Sequence, residues 1–152
     1  MAGIRIEDRF FDDYQVGERF QSMGRTIDQG DITAFAGLTL DYHPAHVDAA
    51  FAGKAYGGRI AHGMLTFAVV TGLTVEYNLA AISYGYDRVR FPNPVRAGQT
   101  LVATSEVVAL RDARNPNYGL VVKHYEGTTE DGSVVFVCEH TLAVRRGPAV
   151  AA

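Results

Sequence analysis

The sequence has one cysteine, Cys138, in 152 residues and no excess of charge of either sign. A single cysteine excludes an intrachain disulfide, which fits a reducing compartment. The formal net charge of −3, without any block of lysine or arginine, gives no electrostatic basis for binding nucleic acid. We therefore expect no nucleic-acid partner.

Long hydrophobic segments are also missing. The longest apolar run, residues 60–75, is interrupted by glycine, threonine and a histidine. It is shorter than the roughly 18 to 20 apolar residues that cross a bilayer. Residues 1–8 carry acidic side chains where a signal peptide has an apolar core. The sequence thus predicts no membrane partner, and the expected location is the cytoplasm.

The composition, 47% apolar and 20% charged, is that of a globular protein. A chain of this length buries roughly two thirds of its unfolded surface in one core. No internal repeat or linker divides it. We predict one domain over residues 1–146 and a disordered tail over 147–152.

The hydrophobic pattern changes from helical to strand-like near residue 82. Asp28 is a predicted N-cap for a helix that ends near Gly37. Residues 59–81 are apolar on nearly every side, which predicts a buried central helix, and Ala68, Thr71 and Gly72 would let it approach a sheet. The other predicted features are a connection at 53–58, a hairpin turn at Asp131-Gly132, and strands at 18–27, 83–91, 100–110, 119–128 and 133–145. The expected fold class is α+β, an antiparallel sheet wrapped around one long helix.

The hexapeptide from Asp41 to His46 carries the chemistry. Pro44 lacks an amide proton and disfavours a helical residue before it, so we predict an ordered loop. Such a loop can turn Asp41 and His46 toward one water molecule. Carboxylates with a pKa of about 4 and imidazoles near 6.5 act as base and proton relay at neutral pH. Two alternatives are an ordinary turn and a metal site made by Asp41, His43 and His46.

Two segments together resemble a known family. The chain is similar to the MaoC-type dehydratases in two places: residues 35–46, and the later segment Ile60-Ala61-His62-Gly63-Met64-Leu65. These are the (R)-specific enoyl-CoA hydratases of the hot-dog fold, whose signature reads Gly-Asp-x-Asn-Pro-x-His. The resemblance extends over residues 20–26, 89–98 and 132–144. Leu40 stands where the signature has Gly, and His43 stands where it has Asn.

The resemblance implies a hot-dog fold and a homodimer in which two sheets join. It implies reversible hydration of a trans-2-enoyl thioester to an (R)-3-hydroxyacyl thioester, as in fatty-acid metabolism. The acyl group would be carried by coenzyme A or acyl carrier protein, and no cofactor is expected beyond coenzyme A as part of the substrate. Asp41 and His46 would hold the water, and the amide of Gly63 would polarise the thioester carbonyl.

Other residues near these motifs are candidates for substrate binding. His43 replaces the Asn that pins the loop, His62 either caps the central helix or lines the pocket, and Thr71 aligns with a pocket-facing hydroxyl in the family. His124 and His140 are expected to be structural. The full set of substrate-binding candidates is His43, His62, Met64 and Thr71, and the basic candidates for coenzyme A phosphates are Lys54, Arg59, Arg88, Arg90 and Arg96.

Two other functions are open on the sequence. A thioesterase of the same fold would aim the water at C1 of the acyl group, whereas a hydratase aims it at C3. A non-catalytic acyl-thioester-binding module is favoured if Leu40 and His43 distort the loop. The products separate these three functions, because only hydration yields a 3-hydroxyacyl thioester and only hydrolysis yields a free thiol.

Overall fold

The computed structural model describes residues 8–147. Of the tail predicted at 147–152, residues 148–152 lie outside the described residues. A 3-10 turn at Phe11–Asp13 precedes the regular elements. The helices are α1 (Gln29–Thr39), α2 (Pro44–Val47), α3 (Ala49–Tyr56) and α4 (Gly63–Leu73). The strands are β1 (Arg19–Gln21), β2 (Arg25–Thr26), β3 (Ala81–Arg90), β4 (Thr100–Asp112), β5 (Tyr118–Thr129) and β6 (Val134–Arg145). The predicted α+β class is confirmed.

All six strands belong to one antiparallel sheet. Its order is β1–β4–β5–β6–β3, and β2 also pairs with β4. Phe136, Cys138 and Val144 of β6 are buried on one face, as the period of two in the sequence predicted. The predicted hairpin turn between β5 and β6 is confirmed, and Gly132 adopts φ +82° there. The topology therefore needs no parallel pairing.

Helix α4 packs on one face of this sheet. Its side chains Leu65 and Val70 join Phe136 in the main core. A Cβ placed on Gly127 of β5 would lie 2.6 Å from the Val70 side chain, so glycine is needed there for the helix to approach. The sheet wrapped on this helix is the hot-dog fold that the resemblance implies.

The central helix is shorter than residues 59–81, and the longer prediction is wrong. Ile60 is held in an extended bridge with Arg96, so the helix begins only at Gly63. The helix ends after Leu73, because the C-cap Thr74 leaves the helical conformation with φ −101° and ψ +5°. Hydrophobic residues on both sides of these limits extended the apparent pattern.

The prediction that Ala68 and Gly72 approach the sheet is also wrong. Both are exposed, and they share a stripe with Met64, whose side chain is 57% exposed. The helix is therefore buried on one side and bare on the other. The glycine that permits the close contact lies in the sheet, where a pattern of helical spacing cannot reveal it.

Four local features differ from the predictions. Helix α1 passes Gly37, and residues 53–56, predicted as a connection, form the end of α3. The first predicted strand is split into β1 and β2. The hexapeptide is a loop only as far as His43, because Pro44 opens α2.

No helix within residues 8–147 combines the length and apolar character needed to cross a membrane.

Candidate active site

The loop that carries Asp41 begins with a left-handed residue. Leu40 caps α1 with φ +63° and ψ +16°. A residue with a Cβ adopts this conformation at a cost of roughly 1–2 kcal/mol, whereas glycine adopts it readily. This requirement explains why the family signature has Gly at the position. Leu40 makes the turn that glycine would make.

His43 fixes the next part of the loop. Its Nδ1 accepts a hydrogen bond from the Ala45 amide at 3.2 Å, and its own amide donates to Asp41 Oδ1 at 3.2 Å. Asn is a preferred N-cap because its side chain accepts this kind of bond. Pro44 occupies the first helical position, where the missing N–H has no intrahelical role. His43 therefore replaces Asn in pinning the loop, from an exposed position.

His46 is oriented by the chain that leads into α4. Its ring Nδ1 lies 2.8 Å from the Ile60 carbonyl and donates to it, which leaves Nε2 as an acceptor. Burial lowers the pKa of His46, and His62 and His43 act in the same direction. The bond to Ile60 and the charge of Asp41 oppose this, but the net pKa lies below the ordinary value of 6.5. The ring is thus a neutral proton acceptor at pH 7.

The structure brings Asp41 and His46 together. A carboxylate oxygen of Asp41, a ring nitrogen of His46 and a ring nitrogen of His62 all lie within 4.8 Å of one another. Two groups that each hydrogen-bond one water at about 2.8 Å are separated by about 4.6 Å when the angle at the water is tetrahedral. The spacing of Asp41 and His46 therefore suits one shared water.

The same cluster is poorly arranged for a metal ion. The rings of His46 and His62 are stacked, with centroids 3.8 Å apart and planes 23° apart. Ring lone pairs lie in the ring planes, so stacked imidazoles direct them within nearly parallel planes and not toward one ion between the rings. Of the ligand set considered from the sequence, His43 already uses Nδ1 for the Ala45 amide.

Gly63 presents its backbone amide immediately after His62, whose ring stacks on that of His46. It is the first residue of α4, so its N–H has no intrahelical partner and lies at the positive end of the helix dipole. A Cβ on Gly63 would lie 3.1 Å from the ring of Phe91. The missing side chain leaves space for an acceptor to reach the amide.

His46 and Gly63 both line a cavity of about 390 Å³. No Asp, Glu, Lys or Arg contributes to its wall within the described chain. Sequence reasoning did not single out the apolar wall residues, because they come from segments that meet only in the folded chain. The other residues that line it are Tyr56, Ile60, Ala61, Thr66, Phe91, Asn93, Pro94, Val95 and Val135.

None of the four predicted substrate-binding residues lines this cavity, and neither does Asp41. His43 lies in the exposed loop. His62 is buried behind His46 and is 3% exposed. Met64 is on the exposed stripe of α4, and the Thr71 hydroxyl donates to the Phe67 carbonyl at 2.9 Å within the helix. A direct role for these four residues would need the substrate to extend beyond the cavity.

The basic candidates for phosphate binding differ in how much of each guanidinium is engaged. Arg59 uses all three nitrogens, for the His46 carbonyl, Gln29 and Thr33, so it braces α2 against α1. Arg88 pairs with Glu139 at 2.9 Å. Arg96 uses only Nε, which donates to the Tyr56 carbonyl at the cavity wall. Arg96 is therefore the best placed of the three.

A second cavity, of about 360 Å³, lies at the other end of α4. Its buried Lys123 pairs with Glu76, which also accepts from the Tyr14 hydroxyl at 2.6 Å. Burial raises the pKa of Glu76. Lys123, Tyr14 and Arg9 lower it by more than burial raises it, so the net pKa lies below its ordinary value. Every charged side chain that lines this cavity has an ion-pair partner, which marks a structural network.

His140 belongs to the structural part of the sheet. Its two ring nitrogens are bonded to the hydroxyls of Tyr125 at 2.8 Å and Ser83 at 2.9 Å. Burial, with a smaller contribution from Lys123, lowers its pKa to about 4. With both nitrogens bonded to hydroxyls of neighbouring strands, this ring holds the sheet together, as predicted for a structural histidine.

The protonation of His46 predicts the acid side of any pH–rate profile. A lowered pKa keeps the ring neutral, and so able to accept a proton, at pH values below 6.5. We expect kcat/KM measured from pH 5 to 8 to fall on the acid side with a midpoint below 6.5. A midpoint clearly above 6.5 would show that His46 is stabilised as a cation, contrary to its burial.

Comparisons with known proteins agree with this fold. The MaoC like domain family model matches residues 13–129. Over 132 residues the chain is 37% identical to 3-hydroxyacyl-thioester dehydratase Z of Mycobacterium tuberculosis, covering 82% of this chain and 85% of that protein.

Two further similarities involve Rhodospirillum rubrum. The chain is 36% identical to its (R)-specific enoyl-CoA hydratase over 103 residues, covering 66% of this chain and 71% of the relative. The crystal structure of a MaoC-like dehydratase from that organism superposes with a TM-score of 0.81 at 30% identity. This match covers 93% of this chain and 99% of the other.

Proposed function

The chain belongs to the MaoC-like dehydratase family, and from that premise we propose that it reversibly hydrates a trans-2-enoyl thioester to an (R)-3-hydroxyacyl thioester. The observation that carries the proposal is the position of Asp41 and His46, within 4.8 Å of each other, with His46 lining the same cavity as Gly63, the first residue of α4. Relatives named as a hydratase and a dehydratase support the same reaction in its two directions.

In the proposed complex, one water donates its two protons toward the Asp41 carboxylate and Nε2 of His46. This fixes the water's lone pair toward C3 of the acyl group. The Gly63 N–H donates to the thioester carbonyl, whose oxygen gains negative charge as the C3–O bond forms. A helix N-terminus stabilises such charge without rearranging during the reaction.

In the proposed reaction, Asp41 and His46 handle every proton that is moved. As the C3–O bond forms, the water loses one proton to Asp41, and the electrons of the C2–C3 double bond shift toward the carbonyl. Asp41 then gives up the proton that it took, and this proton goes to C2 while His46 keeps the new hydroxyl aligned, which restores the thioester. Dehydration follows the same steps in reverse, so a redox cofactor has no part in the proposed steps.

The cavity favours an uncharged acyl chain. Its wall is apolar around Phe91, Val95 and Val135, and no ionisable acid or base other than His46 and Tyr56 lines it. An acyl group with its own carboxylate would lose hydration there without gaining a cation. Arg96 beside Tyr56 supports a phosphate-bearing carrier at the cavity rim.

We also propose that two copies associate. Strand β3 is an edge of the sheet, and Ile82 and Tyr84 on it are 66% and 74% exposed. The bare stripe of α4 around Met64 adds to this apolar surface. Unpaired, apolar edges are usually covered. Sedimentation should give twice the 16.5 kDa chain mass, and a monomer at micromolar concentration would contradict this.

Product analysis with crotonyl-CoA tests the function. The expected product is (R)-3-hydroxybutyryl-CoA, identified by chiral chromatography, with the thioester intact. Release of free coenzyme A thiol would instead identify a thioesterase. Binding of crotonyl-CoA without turnover would identify a non-catalytic module, and either result would overturn the proposal.

A further inference from the structure

His62 contains a buried polar atom without a partner. Its side chain is 3% exposed, and its Nδ1 has no hydrogen bond within the described chain. Buried polar atoms are normally bonded, and an exception in a native structure needs a reason. A phenylalanine would fill a similar space without an unpaired atom, so packing alone does not account for histidine here.

The other ring nitrogen supplies that reason. Nε2 of His62 lies 3.0 Å from the backbone carbonyl of Asp41 and donates to it. This bond joins the loop that carries the proposed base to the residue immediately before Gly63. The loop otherwise depends on short-range bonds, such as that between the His43 amide and the Asp41 carboxylate.

The faces of the His62 ring are also engaged. One contact is the stack on His46, with centroids 3.8 Å apart. Another is with Phe35 of α1, at 5.1 Å and tilted by 57°. The ring is therefore held between α1 and α2, and its plane limits how the neighbouring imidazole can rotate.

We infer that His62 is a positioning residue that sets the distances among Asp41, His46 and the Gly63 amide through its bond to the Asp41 carbonyl. It does not line the cavity, so it acts through the other groups. The inference rests on the proposed hydratase function for its kinetic consequence. The bond itself is a structural feature that can be tested without activity.

Two substitutions separate the bond from the ring. His62→Phe keeps an aromatic ring for the stack but removes the donor. His62→Gln removes the ring but places an amide N–H near the position of Nε2. A displacement of about 1 Å in a catalytic group can cost about 100-fold in rate. We expect the Phe variant to lose at least about 10-fold in kcat with KM within about threefold, and the Gln variant to recover most of that loss.

Amide hydrogen exchange of residues 39–46, followed by mass spectrometry, gives the second measurement. Exchange in this segment should be faster in His62→Phe than in the wild type and slower again in His62→Gln, with thermal unfolding as a check on the overall fold. If the Phe variant keeps both the wild-type kcat and the wild-type exchange, or if the Gln variant is the more damaged of the two, the inference is wrong. A wild-type protein that does not hydrate crotonyl-CoA would overturn the function, and the exchange data would still decide the role of His62.

Discussion

Replacing Asp41 with Asn is expected to lower kcat/KM for crotonyl-CoA hydration by about 10²- to 10⁴-fold, the usual contribution of general acid–base catalysis. The asparagine Oδ1 can still accept from the His43 amide, so the loop keeps its bond. The second carboxylate oxygen is replaced by an NH₂ group, which cannot take a proton from water. The loss should appear mainly in kcat.

Asp48→Asn is the matched control for this change. Asp48 lies on the same segment and caps α3 by accepting from the Ala50 and Phe51 amides. Asn caps helices as well as Asp does, so the control removes one nearby negative charge and no base. Its activity should stay within about twofold of the wild type. An Asp41→Asn variant within a few-fold of the wild type would mean that another group activates the water.

The Gly63→Pro variant is expected to have a kcat/KM about 10²- to 10³-fold lower than that of the Gly63→Ala variant. The reason is that proline removes the amide hydrogen from the proposed oxyanion site. Proline is accepted at the first position of a helix. The preceding His62 has φ −57° and ψ +142°, a conformation that residues before proline favour. The fold should therefore tolerate the change.

The alanine variant is the control for the Cβ atom that both substitutions add. A Cβ at residue 63 would lie 3.1 Å from the Phe91 ring, so both variants must displace that ring slightly, and some activity will be lost in each. Only the proline variant also lacks the N–H group. Equal activity in the two variants would show that the Gly63 amide does not polarise the carbonyl.

The sequence predicted well wherever the signal is local. Asp28 caps α1 as predicted, because its side chain accepts a hydrogen bond from the Asp31 amide at 2.9 Å. The alternation in β6 and the Asp131-Gly132 turn were recognisable because each depends on near neighbours in the chain. Helix ends were less predictable, since Leu40 in a left-handed conformation ends α1 where no glycine marks the position.

The orientation of the site depends on contacts between distant residues. His46 is turned by the Ile60 carbonyl, 14 positions away, and His62 holds the Asp41 carbonyl across 21 positions. The Phe91 wall of the cavity comes from a segment that follows β3. No periodicity in the sequence encodes such pairs, because they form only when α4 packs on the sheet.

By itself the sequence determined the α+β class, the single hexapeptide with its carboxylate and imidazole, and the family resemblance. The tertiary structure alone decided that Gly127 admits the helix, that one side of α4 is bare, and that His62 lies behind His46. The physical reason is the sequence separation of the interacting residues. Helix caps, turns and strand alternation depend on a few adjacent residues, whereas a stacked pair of rings or a cavity wall needs distant segments that only the packed core brings together.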